Sequence, residues 1–342
     1  TVNGPVVTAW QDLISATQAT QINQAPLPTM LQGSTTHLNF NPSVQFTSTQ
    51  QMLGNLSVLS LDSTYFDIVS VVKENNAGNR FFSIGRIDST GNAVANWAHP
   101  ALHTNGRVIR KSNLDKQIYN GIPRTPATDS PSILLNRFTT TSTSAALNGN
   151  SLTTPAMHDT VGIVQGGHII GANNGDAEGF TGHIAELFVF GEGSLAEEDR
   201  TKIETYLAIK YGVTLQNRKN YVSAKDIILW NGTDNATHGY NVAGIGAEEV
   251  SILAQKQSRS QVVNKNGQVT ISVGRLSTTN AENDAVIPAG QFLVWGDNNY
   301  QNPMSNTAYY TNVRYLGRIL NGRRMRRVWK VQNTGFQQAV DI

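Results

Sequence analysis

FTGHIAELFVFGEGSLAEEDRTKIETYLAIKYGVTL, residues 180–215, decides how the chain is read. Ile184, Leu187, Phe188, Val189 and Phe190 make a short apolar run with no polar break after Glu186. Such a run suits a strand buried on both faces. Gly191 and Gly193 interrupt it. Ser194 and Glu197 then have the spacing of a capping box, in which hydroxyl and carboxylate each take an orphan amide of the first turn. Glu197, Glu198 and Asp199 stand where the helix dipole favours anions. Ile203, Tyr206, Leu207 and Tyr211 fall on one face at helical spacing, and Gly212 supplies a left-handed stop. The spacing predicts a helix over 194–211, the one long helix of the chain, lying on something flat and apolar.

The rest of the composition says what that flat partner is. The chain has 342 residues, comfortable for two domains. Apolar residues make up 39% and charged ones only 15%, with Ser, Thr, Asn, Gln and Gly filling the difference. That balance is typical of β-rich exported modules rather than helical enzymes. A net charge of +2 gives no overall steering toward nucleic acid. The absence of cysteine excludes disulfides, thiolate zinc sites, iron–sulfur clusters and thiol catalysis. No apolar run approaches the roughly 20 residues of a membrane helix, so no membrane insertion is expected. The chain opens at Thr1 and stops at Ile342 after a strand-like segment, and both ends read as cuts within a longer polypeptide.

Upstream of residue 180, short strands alternate with turns. Val6 to Trp10, His37 to Phe40, Val44 to Phe46, Tyr65 to Lys73, Phe81 to Gly85, Arg107 to Arg110 and Ser132 to Phe138 all read as strands. Asn75 to Gly78 is expected to close a hairpin between two of them. Asn148-Gly149 is the strongest short hairpin signal in the chain. Many short strands with turn signals between them argue for a two-sheet sandwich.

Leu134, Leu135 and Asn136, then Leu147, Asn148 and Gly149, are followed by Phe-x-Gly-x-Ile-x-Glu-Leu-x-Val-Phe over Phe180 to Phe190. This order resembles the closing strands of concanavalin A-like, laminin-G-like jelly rolls. The helical tail from Ser194 to Leu215 resembles a form found in large surface proteins of Bacteroidota, as do Asn39 to Phe46 and Val328 to Gly335. In those proteins a laminin-G-like module is followed by a second β-rich module. The resemblance implies export by the type 9 pathway to the cell surface, as an outer-membrane-attached or secreted protein, and it specifies no ligand.

Beyond Leu215 the strands continue: Asp226 to Trp230, Tyr240 to Gly246, a polar edge over Gln255 to Ser260, Val269 to Val273, and Gln291 to Trp295. Arg314 to Leu320 and Arg326 to Gln332 read as hairpin arms around Asn321-Gly322. The expected fold is therefore all-β. A laminin-G-like (concanavalin A-like) β-sandwich spans 1–217 and is closed by the helix 194–211. A second β-sandwich-like module spans 218–342 and is truncated at its end.

Catalytic signatures are missing: no His-Glu-x-x-His, no phosphate loop, no Gly-x-Ser-x-Gly. Jelly-roll glucanases need two carboxylates on one strand face around the scissile bond. The Glu-x-Asp at Glu197 and Asp199 is explained by helix capping instead. No catalytic residue is assigned. For ligand binding, Trp97 framed by His99 and His103, with Arg107 nearby, can stack a sugar ring and hold its hydroxyls. For calcium, Asn173, Asn174, Asp176 and Asp297 offer hard oxygens in turns, as do Asp234 and Asn235. Asx side chains in turns also satisfy their own backbone, which is the plainer reading. Arg314, Arg318, Arg323, Arg324, Arg326, Arg327 and Lys330 form a basic stretch, read as hairpin cations paired with acids elsewhere. Ser63, Ser89 and Thr160 sit in short Asp-Ser/Thr patterns that match an O-glycan acceptor. The expected function is a non-catalytic adhesin or structural module whose partner is a glycan or another surface protein. The alternatives are a pure spacer module of a stalk, or an accessory part of a polysaccharide-degrading enzyme.

Overall fold

The computed structural model describes residues 4–14, 16–21, 25–31, 38–55, 65–75, 80–87, 93–103, 108–111, 117–120, 130–139, 142–151, 156–157, 167–172, 179–191, 195–216, 218–261, 269–300, 309–323 and 327–342. The fold is all-β with a single α-helix among the described residues. Contacts divide the chain into two compact units, Thr1–Arg200 and Thr201–Ile342.

The first unit is built from two 8-stranded antiparallel sheets. One runs, in spatial order, Ala9–Gln11, Gln18–Gln21, Met52–Asn55, Gly167–Ile170, Arg80–Ile87, Ala93–His103, Val108–Lys111 and Gln117–Asn120. The other runs Asn150–Ser151, Ser142–Leu147, Ser132–Thr139, Tyr65–Glu74, Gly182–Phe190, Ser43–Phe46 and Thr29–Leu31, with Ala156–Met157 beside Ser142–Leu147. Alternate residues of each sheet point into one core. Phe66, Ile68, Val72, Leu134 and Phe138 from one sheet meet Met52, Phe82, Ile84, Leu102 and Ile170 from the other. Phe66 and Phe138 stack at 4.4 Å between ring centroids. The expected sandwich is present.

Three local expectations change. Tyr65–Glu74 and Arg80–Ile87 do not form a hairpin. The first pairs with Ser132–Thr139 and Gly182–Phe190, the second with Ala93–His103 and Gly167–Ile170, in opposite sheets. Residues 76–79 of the link lie outside the described residues, and turn residues alone do not say which strands on either side will pair. The stretch ending at Phe40 is a tight turn rather than a strand. Asn39 and Phe40 both have positive φ, at 54° and 66°, and the Asn41 amide donates to the Leu38 carbonyl. Finally, Gly182–Phe190 is buried only through Ile184 and half-buried beyond. Its neighbour Ser43–Phe46 pairs with it only over Gly182 to Ile184, and a bulge follows. From Glu186 on it is flanked on one side alone among the described residues. The Asn148-Gly149 hairpin forms as read, with φ of 47° and 81° at the two turn positions.

His168 lies in the middle of Gly167–Ile170, its ring tilted against Phe82 at 5.9 Å and its Nδ1 buried without a partner. The ring occupies the space a side chain at position 54 would need, so Gly54 is required beside it. Removal from water lowers the His168 pKa to about 4, against a smaller opposing pull from Asp12. The folded state therefore binds this proton less readily than the unfolded chain. Above the unfolded pKa near 6.5 the group costs nothing. As pH falls from there toward 4 it increasingly favours unfolding, and below 4 its contribution is level. Thermal melts between pH 7 and 4 are expected to show a falling Tm whose slope is shallower in His168→Gln. Equal slopes in the two proteins would assign the acid sensitivity elsewhere.

The second unit holds all but the first turn of the helix. Glu197–Tyr211 begins beyond Ser194, which lies outside the described residues, and ends as read: Gly212 has φ 63° and the Val213 amide donates to the Ala208 carbonyl. That is a Schellman stop. The buried set is Glu204, Thr205, Leu207, Ala208, Ile209 and Tyr211, whereas Ile203 and Tyr206 are half-buried. The helix is therefore enclosed on more than one stripe. Its buried polar groups have partners: Lys219 Nζ is 2.6 Å from Glu204 Oε2, and the Val222 amide donates to Thr205 Oγ1.

The sheet beneath the helix runs Leu253–Gln255, Tyr240–Glu248, Phe292–Asp297 and Trp329–Thr334. A Cβ at Gly244 would crowd Val294 at 3.1 Å and stand in ordinary contact with the Ile209 side chain at 3.6 Å, so helix and sheet are adjacent there. The sequence reading sets a boundary at 217, and the contacts divide the chain at 200/201, within the helix. The other face of that sheet presents Ala243, Ile245, Leu293 and Trp295 to Ile271 and Val273 of a 3-stranded sheet, Gln257–Arg259, Thr270–Val273 and Val340–Asp341. Leu253–Gln255 and Gln257–Arg259 are end strands of the two sheets, and the chain crosses between them at Lys256. The edge read at Gln255 to Ser260 is real but buried. Its amides close on neighbouring backbone, with Gln257 bonding Ser277 through both its oxygen and its nitrogen.

The expected hairpin around Asn321-Gly322 is shifted. Tyr309–Tyr315 pairs with Arg318–Arg323 around Leu316-Gly317, whose positive φ values of 48° and 75° make the turn. Trp329–Thr334 pairs with Phe292–Asp297 instead.

Candidate functional site

Trp329–Thr334 is the end strand of its sheet. A cleft of about 390 Å³ lies along it, lined by Ile228, Asn231, Asp234, Asn235, Lys330, Val331 and Gln332. The opposite wall comes from the strand Ile228–Trp230 and the turn that follows. Gly232 is needed in that turn because a Cβ would strike the Arg218 carbonyl. Asn231 organises it as an Asx turn: its Oδ1 accepts the Thr233 and Asp234 amides at 3.0 and 3.1 Å. Its Nδ2 donates to Asp234 Oδ2 at 2.8 Å. Gln332 ties the two walls together. Its Oε1 accepts the Asn231 amide at 3.0 Å and Asn235 Nδ2 at 2.9 Å, and its Nε2 donates to the Ile228 carbonyl at 3.3 Å. Lys330 Nζ donates to the Asp234 carbonyl at 3.1 Å.

The outcome is a groove whose polar groups are already held in place. Asp234 supplies a carboxylate, Lys330 an ammonium, and Ile228 and Val331 an apolar strip, 44% and 50% exposed. Sequence reading singled out Asp234 and Asn235 for calcium but missed the groove. Its other wall lies about a hundred residues away in the chain, and only pairing brings the two together.

Asp297 stands at the far end of Phe292–Asp297 and is fully buried. Asn241 Nδ2 donates to both its oxygens at 3.0 and 2.9 Å, Arg327 Nη1 lies 3.0 Å from Oδ2, and the Asn299 amide donates to Oδ1 at 2.7 Å. Arg327 Nε also donates to the Tyr300 carbonyl. The oxygens read as calcium donors are engaged by a guanidinium, and Arg327 of the basic stretch is the paired cation that the plainer reading expected. No group of three or more metal-donor side chains occurs among the described residues. Any difference between melting curves in chelator and in millimolar calcium is expected to be the same in Asp297→Asn as in wild type. A calcium-dependent rise in Tm that Asp297→Asn abolishes would overturn this.

Trp97, His99 and His103 belong to the strand Ala93–His103, in the first unit. Arg107, Asn173, Asn174, Asp176, Ser63, Ser89 and Thr160 lie outside the described residues.

Residues 199–342 match a family described as a domain of unknown function (DUF8202). The match starts inside the helix, close to the division between the two units. No curated protein matches the chain in sequence. Among solved structures, the binding domain of Paraclostridial Mosquitocidal Protein 1 is similar at 11% identity and a TM-score of 0.42, over 59% of this chain and 51% of that one. Domain 4 of AbnA, a GH43 extracellular arabinanase from Geobacillus stearothermophilus, in complex with arabinotriose, is similar at 12% identity and 0.36, over 52% and 87%. The receptor binding domain of botulinum neurotoxin D gives 12% and 0.35, over 54% and 51%. The chain spans about half the length of the mosquitocidal and neurotoxin domains.

Proposed function

We propose that the chain is a non-catalytic binding module of an exported surface protein, an adhesin segment that holds its partner, a glycan or another surface protein, in the cleft beside Trp329–Thr334. The preorganised groove carries this reading. Asn231, Gln332 and Asp234 are fixed by hydrogen bonds before any ligand arrives, so little ordering cost remains to be met on binding. An apolar strip with a few placed polar groups is the usual make-up of a ligand site. One carboxylate, Asp234, lines the groove, whereas glycoside hydrolysis needs two across the scissile bond. Export to the cell surface of a Bacteroidota cell by the type 9 route is part of the same proposal and rests on the resemblance of Ser194 to Leu215.

Glycan arrays and panels of purified surface proteins, probed with wild type and with Asp234→Ala, test it. Wild type is expected to bind a member of one panel, and the variant to bind on the order of tenfold or more weakly. Binding by neither protein would favour a spacer, and binding unchanged by the substitution would move the site elsewhere.

A further inference from the structure

The geometry points to a neutral saccharide as the occupant of this cleft, gripped through two adjacent hydroxyls. This rests on the cleft being the binding site, and it deepens that reading by naming the ligand class.

The hydrogen bonds inside the cleft separate the polar groups that are filled from those that are free. Gln332 Oε1 accepts two donors, and Asn231 Oδ1 accepts two amides. An amide oxygen has two lone pairs, so both are full. Asp234 differs. Its Oδ2 takes Asn231 Nδ2, whereas its Oδ1 takes no hydrogen bond among the described residues. Lys330 Nζ uses one of its three hydrogens, on the Asp234 backbone carbonyl and not on the carboxylate. A free acceptor and a free donor are thus held at one residue of the groove wall, and both side chains are exposed.

A hydroxyl can donate and accept. In a vicinal diol two of them stand side by side, so one donates to Asp234 Oδ1 while its neighbour accepts from Lys330. A peptide group turns its N–H and C=O to opposite sides of its chain. A single peptide unit therefore meets one of the two free groups and leaves the other unmet.

Charge narrows the ligand further. Asp234 is the one anion and Lys330 the one cation among the residues lining the cleft. An acidic sugar would meet the carboxylate, and a basic one the ammonium, each a like-charge contact. A neutral sugar avoids both. Its C–H face needs apolar cover, which Ile228 and Val331 offer at 44% and 50% exposure.

An array of neutral oligosaccharides, each beside its uronic acid counterpart, tests this on the full chain, Lys330→Met and Asp234→Asn. Both positions are exposed, and asparagine keeps an acceptor for Asn231 Nδ2, so both variants are expected to melt as wild type does. Wild type is expected to bind neutral members, and their uronic acid counterparts about tenfold more weakly. Lys330→Met should bind the neutral members about tenfold more weakly than wild type. Asp234→Asn should narrow the gap between neutral and acidic sugars. A deoxy analogue lacking one hydroxyl of the diol should lose about tenfold on wild type, and little more on the variant that lacks that hydroxyl's partner. Uronic acids bound as tightly as neutral sugars, with binding still lost in Asp234→Ala, would overturn the neutral diol and leave the cleft as the binding site. A surface protein whose binding Asp234→Ala abolishes, with no saccharide bound, would do the same. Saccharide binding untouched by any of these substitutions, or no binding of any kind, would end both readings.

Discussion

Arg327→Leu is expected to lower the stability of the second unit by about 3–5 kcal/mol. Asp297 and Arg327 are each about 1% exposed at the side chain, and their atoms meet at 3.0 Å. Removing the guanidinium strands a carboxylate out of water with only Asn241 and the Asn299 amide for company. The Tyr300 carbonyl loses its donor as well. Asp297→Leu alone should also be costly, since Arg327 then stays buried without its anion. The double substitution removes both charges and is expected to cost less than the two single losses added together, by about 0.5–3 kcal/mol. Urea unfolding followed by tryptophan fluorescence reads this well, because Trp329 is the cross-strand neighbour of Asp297. Single variants that melt as wild type would mean that the pair is not confined as its burial implies. Strict additivity would mean that its members act apart.

Much of the fold was legible because it is written locally. The hairpin at Asn148-Gly149 needs two positive φ values, and that dipeptide supplies them at low cost. Gly212 stops the helix for the same reason. The failures share a different cause. Asn75 to Gly78 carries good turn residues, yet which strands pair on either side is settled by the facing sheet. At Gly244 the helix residue Ile209 and the sheet residue Val294 both come within contact distance, a meeting that nothing near the helix in sequence announces.

The site was less legible than the fold. Asp297 reads as an oxygen donor in an Asn-rich turn, but its chemistry is set by Arg327 across the strand pair. The groove needs Asn231 and Gln332 to meet, and neither residue type is unusual where it stands. What sequence did provide was a turn at Asp234 and Asn235 with Asx side chains bonding local backbone, and the structure has Asn231 in that part. Its partner strand was placed in a hairpin with the wrong neighbour, because Asn321-Gly322 outweighed the turn actually used at Leu316-Gly317.

In the first unit the largest loss is expected from Asp67→Ala, about 2–4 kcal/mol. Asp67 lies on Tyr65–Glu74, fully buried, opposite Arg137 in register. Arg137 meets it with a fork, Nε to Oδ1 at 2.9 Å and Nη2 to Oδ2 at 3.0 Å. The same two side chains grip one residue: the Leu195 amide donates to Asp67 Oδ2 at 2.7 Å, and Arg137 Nη2 donates to the Leu195 carbonyl at 2.6 Å. Bonding to the carboxylate holds the Arg137 pKa above its ordinary value. Alanine removes the anion, leaves the guanidinium to find water through its partly open side, and frees the Leu195 amide just before the helix. Asp67→Asn keeps the shape but presents an NH₂ where Arg137 or Leu195 needs an acceptor, so it should be nearly as damaging. Amide exchange separates this clasp from a general loss of packing. Under conditions where the sandwich core stays protected, Leu195 is expected to exchange faster in both variants while Ile68 and Leu134 keep their rates. Unchanged exchange at Leu195 would show that something other than this ion pair secures the chain as it enters the helix.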